Sequence, residues 1–339
     1  MMRFEDISVI GDGNDEAHQL TMNPFGELTS FGPDNTIGIL ELNPPELRVF
    51  DFDGQSLWSA GREGDGPGEF LFPRSLTWHR DVGWIVLTAI QNRIVIFSDD
   101  GQSHLTRSTA SLPHPSPMNR ARFAPDRSFW YLGSSREETG ESSSVVWNLI
   151  SSDWDSLQGR VVDRAVFEPT IAEGNTYYMQ DSEHPRLVAV DQRGRAWWCP
   201  HYEFQIDVRE PDGSGQWRIR REYERKPYST DYRQLMESEP QMQTPEYRMF
   251  LQLPDKQPAL SWLRWMEQNE LWAFTSAYVD SPFVEVDVFD ENGTFTRAFL
   301  APKHLRTYPI MGDLILRPDE AEDGSPLLIL SRWWIEERN

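Results

Sequence analysis

Four tight hairpin turns constrain the fold of this chain more than any other feature of its sequence. Asp53-Gly54, Asp100-Gly101, Asp212-Gly213 and Asn292-Gly293 each follow a run of alternating apolar and polar residues. Asp-Gly and Asn-Gly readily adopt the positive φ angles that a tight hairpin turn requires, so each copy predicts a strand, a turn and a strand. Four such turns predict a protein built from one repeated β unit.

A second hairpin precedes most of these turns, so the repeat contains four strands. Before the second copy, short strands at Ser75–His79 and Trp84–Ala89 flank the turn Arg80–Gly83. Leu260–Met266 and Leu271–Thr275 repeat this arrangement before the fourth copy. Four antiparallel strands in each repeat of about 40–50 residues are typical of a β-propeller blade.

Six such units account for most of the chain. They cover residues 27–60, 75–107, 120–163, 185–222 and 260–300, and a sixth unit has only 312–317, 327–332 and 333–337. The sixth unit is one strand short, and Ile7–Ile10 precedes the first unit and is free to supply it. The sequence therefore predicts one all-β domain over 1–339, a six-bladed β-propeller with four-stranded antiparallel blades, closed by the N-terminal strand joining the last blade.

Two segments interrupt the repeat. Residues 108–119 contain three prolines, which predict an extended connector. Residues 223–258 are longer than an ordinary loop, and helix-forming residues at 231–237 and 245–251 predict two short helices within them. Because loops of this length are often functional, this partly helical arm is either a lid packed over the blades or an arm that binds a partner.

Charge and composition limit the classes of partner. With 32 Lys and Arg against 54 Asp and Glu, the net charge of −22 argues against nucleic acid and against direct binding to anionic lipid. The start of the chain lacks the apolar run of a signal peptide, and no apolar stretch is long enough to span a membrane. We therefore expect a cytoplasmic protein that reaches a membrane only through protein contacts. Cys199 is the single cysteine, and its tryptophan neighbours predict a buried thiol.

The glycine-rich segment 61–70 lies between the first two blades. Its spacing is similar to that of a phosphate loop, but no Gly-Lys-Ser/Thr follows, and Glu63, Asp65 and Glu69 would repel phosphate. It therefore predicts a tight crossing between neighbouring blades. Together with residues 49–54 and Pro73, the segment resembles the blade junctions of six-bladed propellers of the NHL and TolB-like group. That group includes enzymes and non-enzymes, so the resemblance supports the fold without choosing a function.

The resemblance also implies candidate metal-binding residues. Gluconolactonase- and paraoxonase-like members bind Ca²⁺ through acidic and Asn side chains on the propeller axis, and the lyase members use His there. The strand-end candidates in this chain are Glu41, His79, His184, His201 and Asp280. No His-x-Glu-x-His spacing occurs, no acidic position repeats from blade to blade, and no Gly-x-Ser-x-Gly elbow surrounds a serine. We therefore expect no metal, no cofactor and no catalytic residue, with His79 and His201 in packing roles.

Two tryptophan doublets are the first candidates for a partner interface. Trp197-Trp198 and Trp333-Trp334 each place adjacent rings on opposite faces of a strand. One ring of each pair can fill the core while the other points outward, where tryptophan is enriched at interface hot spots. The alternative is that both rings of a pair are buried between blades.

A cluster of cations is the second candidate for an interface. Arg218, Arg220 and Arg221, with Arg225 and Lys226 nearby, stand out in a chain of strongly negative charge. They predict either a docking patch for an acidic partner or an ordinary solvated edge.

These features favour a non-catalytic scaffold that binds other proteins. The chain also resembles the membrane-extrinsic propeller subunits that brace a bacterial photosynthetic reaction centre within its light-harvesting ring. Because the sequence contains no Cys-x-x-Cys-His haem motif, this resemblance implies a purely structural role. The alternative is a Ca²⁺-dependent lactonase- or lyase-type enzyme, in which Glu41 or His201 would be essential. A sugar- or peptide-binding propeller is a third possibility.

Overall fold

The structure, a computed structural model, describes residues 2–11, 19–21, 26–88, 91–113, 121–139, 142–167, 170–172, 175–177, 187–200, 202–228, 230, 234, 256–276 and 281–336. In this part of the chain the strands form six four-stranded antiparallel sheets and one two-stranded hairpin. The predicted fold class, an all-β six-bladed β-propeller, is confirmed. The chain divides into two compact units, the first formed by 1–127, 153–159 and 307–339 and the second by 128–152 and 160–306.

The first unit contains the first, second and sixth blades. It begins with strand β1 (Met2–Ile10) and a 3₁₀ helix at Gly26–Leu28. The first blade consists of β2 (Thr29–Phe31), β3 (Thr36–Leu42), β4 (Pro45–Asp51) and β5 (Ser56–Ala60). The second consists of β6 (Pro73–His79), β7 (Gly83–Thr88), β8 (Arg93–Phe97) and β9 (His104–Ser108).

The third blade begins with the short strand β10 (Arg122–Phe123), and its other strands are β11 (Ser128–Thr139), β12 (Ser142–Asp153) and β13 (Gly159–Phe167). A hairpin of β14 (Thr170–Ala172) and β15 (Asn175–Tyr177) follows.

The fourth and fifth blades lie entirely in the second unit. The fourth consists of β16 (Leu187–Val190), β17 (Ala196–Cys199), β18 (Gln205–Arg209) and β19 (Gln216–Arg220). The fifth consists of β20 (Leu260–Met266), β21 (Glu270–Thr275), β22 (Phe283–Asp290) and β23 (Phe295–Pro302). A second 3₁₀ helix, Lys303–Thr307, comes next.

The sixth blade joins the two ends of the described chain. Its strands are β24 (Ile310–Met311), β25 (Leu314–Glu320) and β26 (Pro326–Ile335), and β1 pairs with β26 as the outermost strand. The predicted N-terminal closure is therefore confirmed. Two details differ from the prediction, because 327–332 and 333–335 belong to the single strand β26 and β1 begins at Met2 rather than Ile7. Met2–Glu5 alternate apolar and charged residues as a half-buried strand does, but Asp6 breaks this alternation before Ile7, where the pairing with β26 shifts register.

The hairpin turns have the predicted positive φ at their glycines but not at the Asp or Asn that precedes each glycine. Gly54, Gly101, Gly213 and Gly293 all have φ between 69° and 84°. In the first blade the Asp51 carboxylate also accepts the backbone N–H groups of Asp53 (3.0 Å) and Gln55 (2.8 Å). Because the aspartate binds the turn that follows it, the strand register is fixed locally.

Tryptophan and β-branched side chains form the cores. In the first unit Trp84 is fully buried among Leu40, Val49 and Val86. A Cβ atom at Gly38 would lie 2.2 Å from the Trp84 ring, so a glycine is required there. In the second unit Cys199 is buried in an apolar cluster, as predicted.

The predicted arm lies largely beyond the part of the chain that is described. The helices expected at 231–237 and 245–251 fall outside the described residues except for Gln234, and the 108–119 connector is described only as far as 113. The base of the arm is visible, because Pro227 and Lys256 form an isolated β-bridge. A single domain over 1–339 stays a prediction. None of the described helices has the length and apolar character of a bilayer span.

Candidate functional site

The structure gives Glu41 a packing role rather than a metal-binding one. Its side chain is buried, and Arg48 Nη1 donates to its Oε1 at 3.4 Å. The Thr21 backbone N–H donates to the same oxygen at 3.3 Å, and the Thr21 hydroxyl donates to Oε2. An arginine within ion-pair distance already compensates the charge that a cation would need.

The other metal candidates do not assemble with Glu41 in the described part of the chain. His79 is buried, with Nε2 at 3.0 Å from Ala124 O and Nδ1 accepting the Asp81 N–H at 3.2 Å, which is the predicted packing role. His184, His201 and Asp280 lie outside the described residues. Among the residues that are described, no three His, Cys, Asp or Glu side chains lie close enough together to hold a metal ion. Glu41 and His79, the two candidates that are described, therefore do not form the Ca²⁺ site that the resemblance implies.

The first tryptophan doublet does not present a ring to solvent. Trp197 and Trp198 are 0% and 1% exposed, which corrects the expectation that one of them points outward. The Trp197 indole packs against Trp217 and Trp265 and donates to Asp191 Oδ2 at 3.0 Å. Both faces of β17 are covered within the second unit, so both rings have apolar surroundings.

The second doublet is partly exposed. Trp334 is 43% exposed and Trp333 is half-buried. Trp333 pairs with Phe4 and Trp334 with Arg3 across β26 and β1. That the Trp333-Trp334 doublet binds a partner stays a prediction.

The predicted cationic cluster is paired within the chain. The Arg218 guanidinium bonds to the buried Asp207 carboxylate, and Arg220 Nε donates to Gln205 Oε1 at 3.2 Å. Arg221 contacts Glu285 and Asp287. These carboxylates neutralise much of the positive charge of Arg218 and Arg221, so an acidic partner would have to compete with them. Binding of such a partner stays a prediction.

The Arg221 contacts belong to a polar cluster between the fourth and fifth blades, both in the second unit. Arg221 directly follows β19, while Glu285 and Asp287 lie two positions apart on β22 and so face the same side of the sheet. Tyr223 and Thr275, the last residue of β21, complete the cluster. We call these five residues the Arg221 cluster.

The cluster has a buried end and an exposed end. Asp287 is 0% exposed, whereas the side chains of Arg221 and Glu285 are 37% and 43% exposed. The guanidinium bonds to Asp287 Oδ2, and its Nη2 lies 3.3 Å from Glu285 Oε1. On its other side it lies over the Phe204 ring, with Cζ 5.6 Å from the centroid. The guanidinium is therefore held in one orientation at the edge of solvent.

Burial dominates the electrostatics of the inner residues. It raises the pKa of Asp287, and the Arg221 guanidinium opposes that rise without cancelling it. Burial also raises the pKa of Tyr223, although a hydrogen bond with Thr275 acts in the opposite direction. Asp287 Oδ1 has no hydrogen-bond partner among the described residues. A perturbed carboxyl beside an arginine and a tyrosine is a recognised mark of functional sites.

Sequence reasoning assigned Arg221 to a surface patch and missed the rest of the cluster. The signal lies in 283–289, where alternation places the three valines on one face of β22 and Glu285, Asp287 and Phe289 on the other. Two acids on a strand face that also carries a buried Phe indicate a polar site inside the protein. The sequence contains no sign that Arg221, more than 60 positions away, faces them.

The glycine-rich segment has the structural role that was predicted for it. Its ends approach each other, because the Phe70 N–H donates to Arg62 O at 3.0 Å. Glu69 accepts the Gly66 N–H at 2.8 Å and the Arg62 Nε–H at 2.7 Å, and these bonds lower its pKa. The segment is thus a connection from β5 to β6 that is held in shape by hydrogen bonds among its own residues.

No protein-family model and no curated protein matches the sequence. Among solved structures, a Bacteroides fragilis protein that is predicted to be exported matches with 13% identity and a TM-score of 0.52, covering 98% of this chain and 95% of that one. A DUF4221-family protein from Bacteroides vulgatus matches with 8% identity and a TM-score of 0.52, covering 98% of both chains. At such identities these likenesses show the fold alone. The predicted cytoplasmic location is not confirmed.

Other solved propellers that match are mostly enzymes. An aldose sugar dehydrogenase from Streptomyces coelicolor, with bound PQQ, has 11% identity and a TM-score of 0.47 over 98% of this chain and 99% of that one. A virginiamycin B lyase from Staphylococcus aureus and a gluconolactonase-like protein have TM-scores of 0.42 and 0.43. This finding contradicts the prediction that the chain is not an enzyme, although none of these likenesses transfers a reaction. The resemblance to a photosynthetic subunit gains no support.

Proposed function

We propose that the chain is a propeller enzyme of the hydrolase or lyase type, with the Arg221 cluster as its active site. This is the lactonase- or lyase-type alternative of the sequence analysis without its metal ligands. One observation supports it above the others: Asp287 holds a guanidinium at the edge of solvent, next to a half-exposed carboxylate. A cation and a base side by side are what acyl transfer and proton abstraction next to a carbonyl require.

In this proposal the substrate is a lactone or an ester. Glu285 takes a proton from water, the water oxygen bonds to the carbonyl carbon, and the negative charge that develops on the carbonyl oxygen lies against Arg221. The carbon–oxygen bond to the leaving group then breaks, and the leaving oxygen receives the proton from Glu285. Asp287 is a positioning residue, because it touches Arg221 and is too deeply buried to touch a substrate.

The test is hydrolysis of a panel of aryl esters and lactones by the purified full chain. We expect measurable turnover, and a loss of about 100-fold or more in Glu285→Gln, because a general base typically contributes at least that factor. Arg221→Lys keeps the charge but loses the planar guanidinium, so we expect a comparable loss.

Arg193→Lys and Glu291→Gln are the matched controls. They alter an exposed ion pair of 3.0 Å in the same unit, so we expect wild-type turnover from both. The proposal is wrong if the wild-type chain hydrolyses no substrate in the panel above the buffer rate. It is equally wrong if Glu285→Gln and the control variants have the same rate.

Protein binding is a second candidate function, and exposed apolar side chains favour it. Each outermost strand of the first unit exposes one large apolar residue: Ile7 on β1 is 47% exposed, Leu57 on β5 is 49% and Leu105 on β9 is 54%. Exposed apolar side chains on unpaired strand edges suit contact with another protein. This supports the predicted interaction role in general, without indicating that the partner is a photosynthetic membrane complex, and does not depend on whether the chain is also an enzyme.

Native fractionation tests this second candidate. Membranes of the source cells are solubilised in mild detergent, and the chain is located by mass spectrometry. Migration with a large membrane complex would support the interaction role and would identify the partners. Migration as a monomer of about the chain mass would contradict it.

A further inference from the structure

The first unit contains a cavity that the Arg221 cluster does not involve. It lies where β3 turns into β4 and where the glycine-rich crossing enters β6, and its volume is about 210 Å³. Leu42, Asn43, Glu63, Leu71, Phe72 and Arg74 are among the residues that line it. We call it the Phe72 cavity. Its volume is below the roughly 300–1,000 Å³ of sites for drug-sized ligands, so it has room only for a smaller molecule.

Phe72 has an unusual backbone conformation. Its φ of +48° lies in the left-handed region, which a bulky residue seldom adopts. Its side chain is nevertheless 60% exposed, so burial of the ring does not compensate for that conformation. Strained residues of this kind cluster at ligand sites, where the surrounding chain holds them in place.

Both flanks of Phe72 are fixed. On one side Phe70 is fully buried, and the Leu71 N–H donates to Gln91 Oε1 at 2.8 Å. On the other side Pro73 is buried and pairs with Thr88. The chain therefore cannot relax at Phe72 without breaking contacts on each side, and the exposed ring stays on the cavity wall.

Two opposite charges line the same cavity. Glu63 and Arg74 are both exposed, and neither forms a hydrogen bond or an ion pair within the described part of the chain. Most other arginines in this unit bind a carboxylate or a backbone carbonyl, for example Arg48, Arg93 and Arg107. The cavity thus combines an available carboxylate, an available guanidinium and an apolar wall.

From this combination we propose that the Phe72 cavity binds a small zwitterion with an apolar side chain, of the size of a free amino acid. The ammonium group of the ligand pairs with Glu63, its carboxylate pairs with Arg74, and its side chain packs against Phe72 and Leu71. Guanidinium and carboxylate groups form strong charge-assisted hydrogen bonds, which gives the ligand its orientation. This site is independent of the proposed enzymatic activity.

The test is titration of the full chain with L-leucine and L-phenylalanine, followed by calorimetry or ligand-observed NMR. We expect saturable binding of one molecule per chain. N-acetyl-leucine lacks the ammonium group and leucinamide lacks the carboxylate, so each should bind about tenfold more weakly or worse, since a lost charged hydrogen bond typically costs at least that factor.

Single-residue variants show whether a loss of binding comes from lost contacts with the ligand or from a general effect on folding. Glu63→Gln should reduce binding of leucine but not of N-acetyl-leucine, and Arg74→Gln should reduce binding of leucine but not of leucinamide. Arg80→Gln, an exposed arginine in the turn after β6, is the control and should bind like the wild type. Glu285→Gln should also bind normally, which distinguishes this site from the Arg221 cluster. Absence of saturable binding by the wild-type chain, or leucine binding by Glu63→Gln and Arg74→Gln that equals that of the wild type, would overturn the proposal.

Discussion

The charged side chains of this protein differ widely in how far they are exposed to water. Arg48 and Glu41 have side chains only 9% and 2% exposed, whereas Arg3 and Glu336 form an ion pair with side chains 53% and 54% exposed. The attraction between two ions is weak in water and strong in the interior, but the interior also imposes a desolvation cost. Removing one partner should therefore have very different effects in the two pairs.

Arg48→Met should lower the free energy of unfolding by about 3–5 kcal/mol, because it leaves the Glu41 carboxylate buried without its cation. Arg3→Met should change it by less than about 1 kcal/mol, because both ions of that pair remain hydrated. Urea unfolding followed by tryptophan fluorescence measures both values. Equal effects of the two substitutions would contradict the assigned burial.

Asp287 should make stability depend on pH in the direction opposite to most carboxyl groups. Its pKa is raised in the folded protein, so its contribution to stability is fully present below the ordinary carboxyl pKa. The contribution is lost as pH rises through the raised value. The free energy of unfolding of the wild type minus that of Asp287→Asn should therefore fall as the pH rises above the ordinary carboxyl pKa, by no more than about 1.4 kcal/mol per pH unit.

Asp212→Asn is the control for this titration. Asp212 lies in an exposed turn, where hydrogen bonds from Ser214 lower its pKa. Its contribution is therefore lost as pH falls, so the corresponding difference should change in the opposite sense. Urea unfolding at a series of pH values gives both slopes, and two slopes of the same sign would refute the assignment for Asp287.

At the scale of elements, strand β1 determines whether the last blade is complete. Asp6 Oδ1 accepts from Arg317 Nη2 at 2.5 Å and from Ser331 Oγ at 2.8 Å, so β1 is bound through side chains as well as through its backbone. Ile10 is fully buried beside Leu316 and Leu328, whereas Ile7 on the same strand is 47% exposed.

Ile10→Ala should lower the free energy of unfolding by about 2–5 kcal/mol, because it leaves a cavity in the core of the last blade. Ile7→Ala makes the same chemical change on a side chain that solvent already reaches, so its effect should stay within about 0.5 kcal/mol. Thermal and urea unfolding of the two variants test this. If Ile7→Ala were the more damaging, the register of β1 would be wrong by one residue.

Most of the fold could be predicted from the sequence, because its information is local. Asp53-Gly54 and its counterparts encode their own turns, and alternation encodes the strands between them. The Arg221 cluster could not be predicted in the same way. Arg221 meets Asp287 only when the fourth and fifth blades pack together, and no local pattern encodes that contact. Trp198 shows the same limit, since alternation indicates two faces of a strand but not that both are covered.

At the scale of the whole molecule, the net charge of −22 should oppose folding. Like charges are closer together in the compact state than in the unfolded chain, so their repulsion destabilises the native protein. Salt screens this repulsion, since the Debye length falls from about 30 Å at 0.01 M to about 10 Å at 0.1 M.

Raising sodium chloride from 0.01 to 0.1 M at neutral pH should therefore raise the midpoint of thermal unfolding. Near pH 4.7, the isoelectric point, the net charge vanishes and the same addition should have little effect. Scanning calorimetry at the two pH values measures both shifts. A fall in the midpoint at neutral pH would mean that attractive ion pairs outweigh the net repulsion.

The pairing of β1 with β26 also has a consequence for how the protein is made. Arg3 and Glu336 form an ion pair although they are 333 positions apart in the sequence. A ribosome that adds roughly 5–20 residues per second needs about 15 s to one minute to travel that distance. Throughout this interval β1 has no partner, and the blade that awaits it does not yet exist. The nascent chain must therefore keep β1 away from every other open strand edge until β26 has been translated.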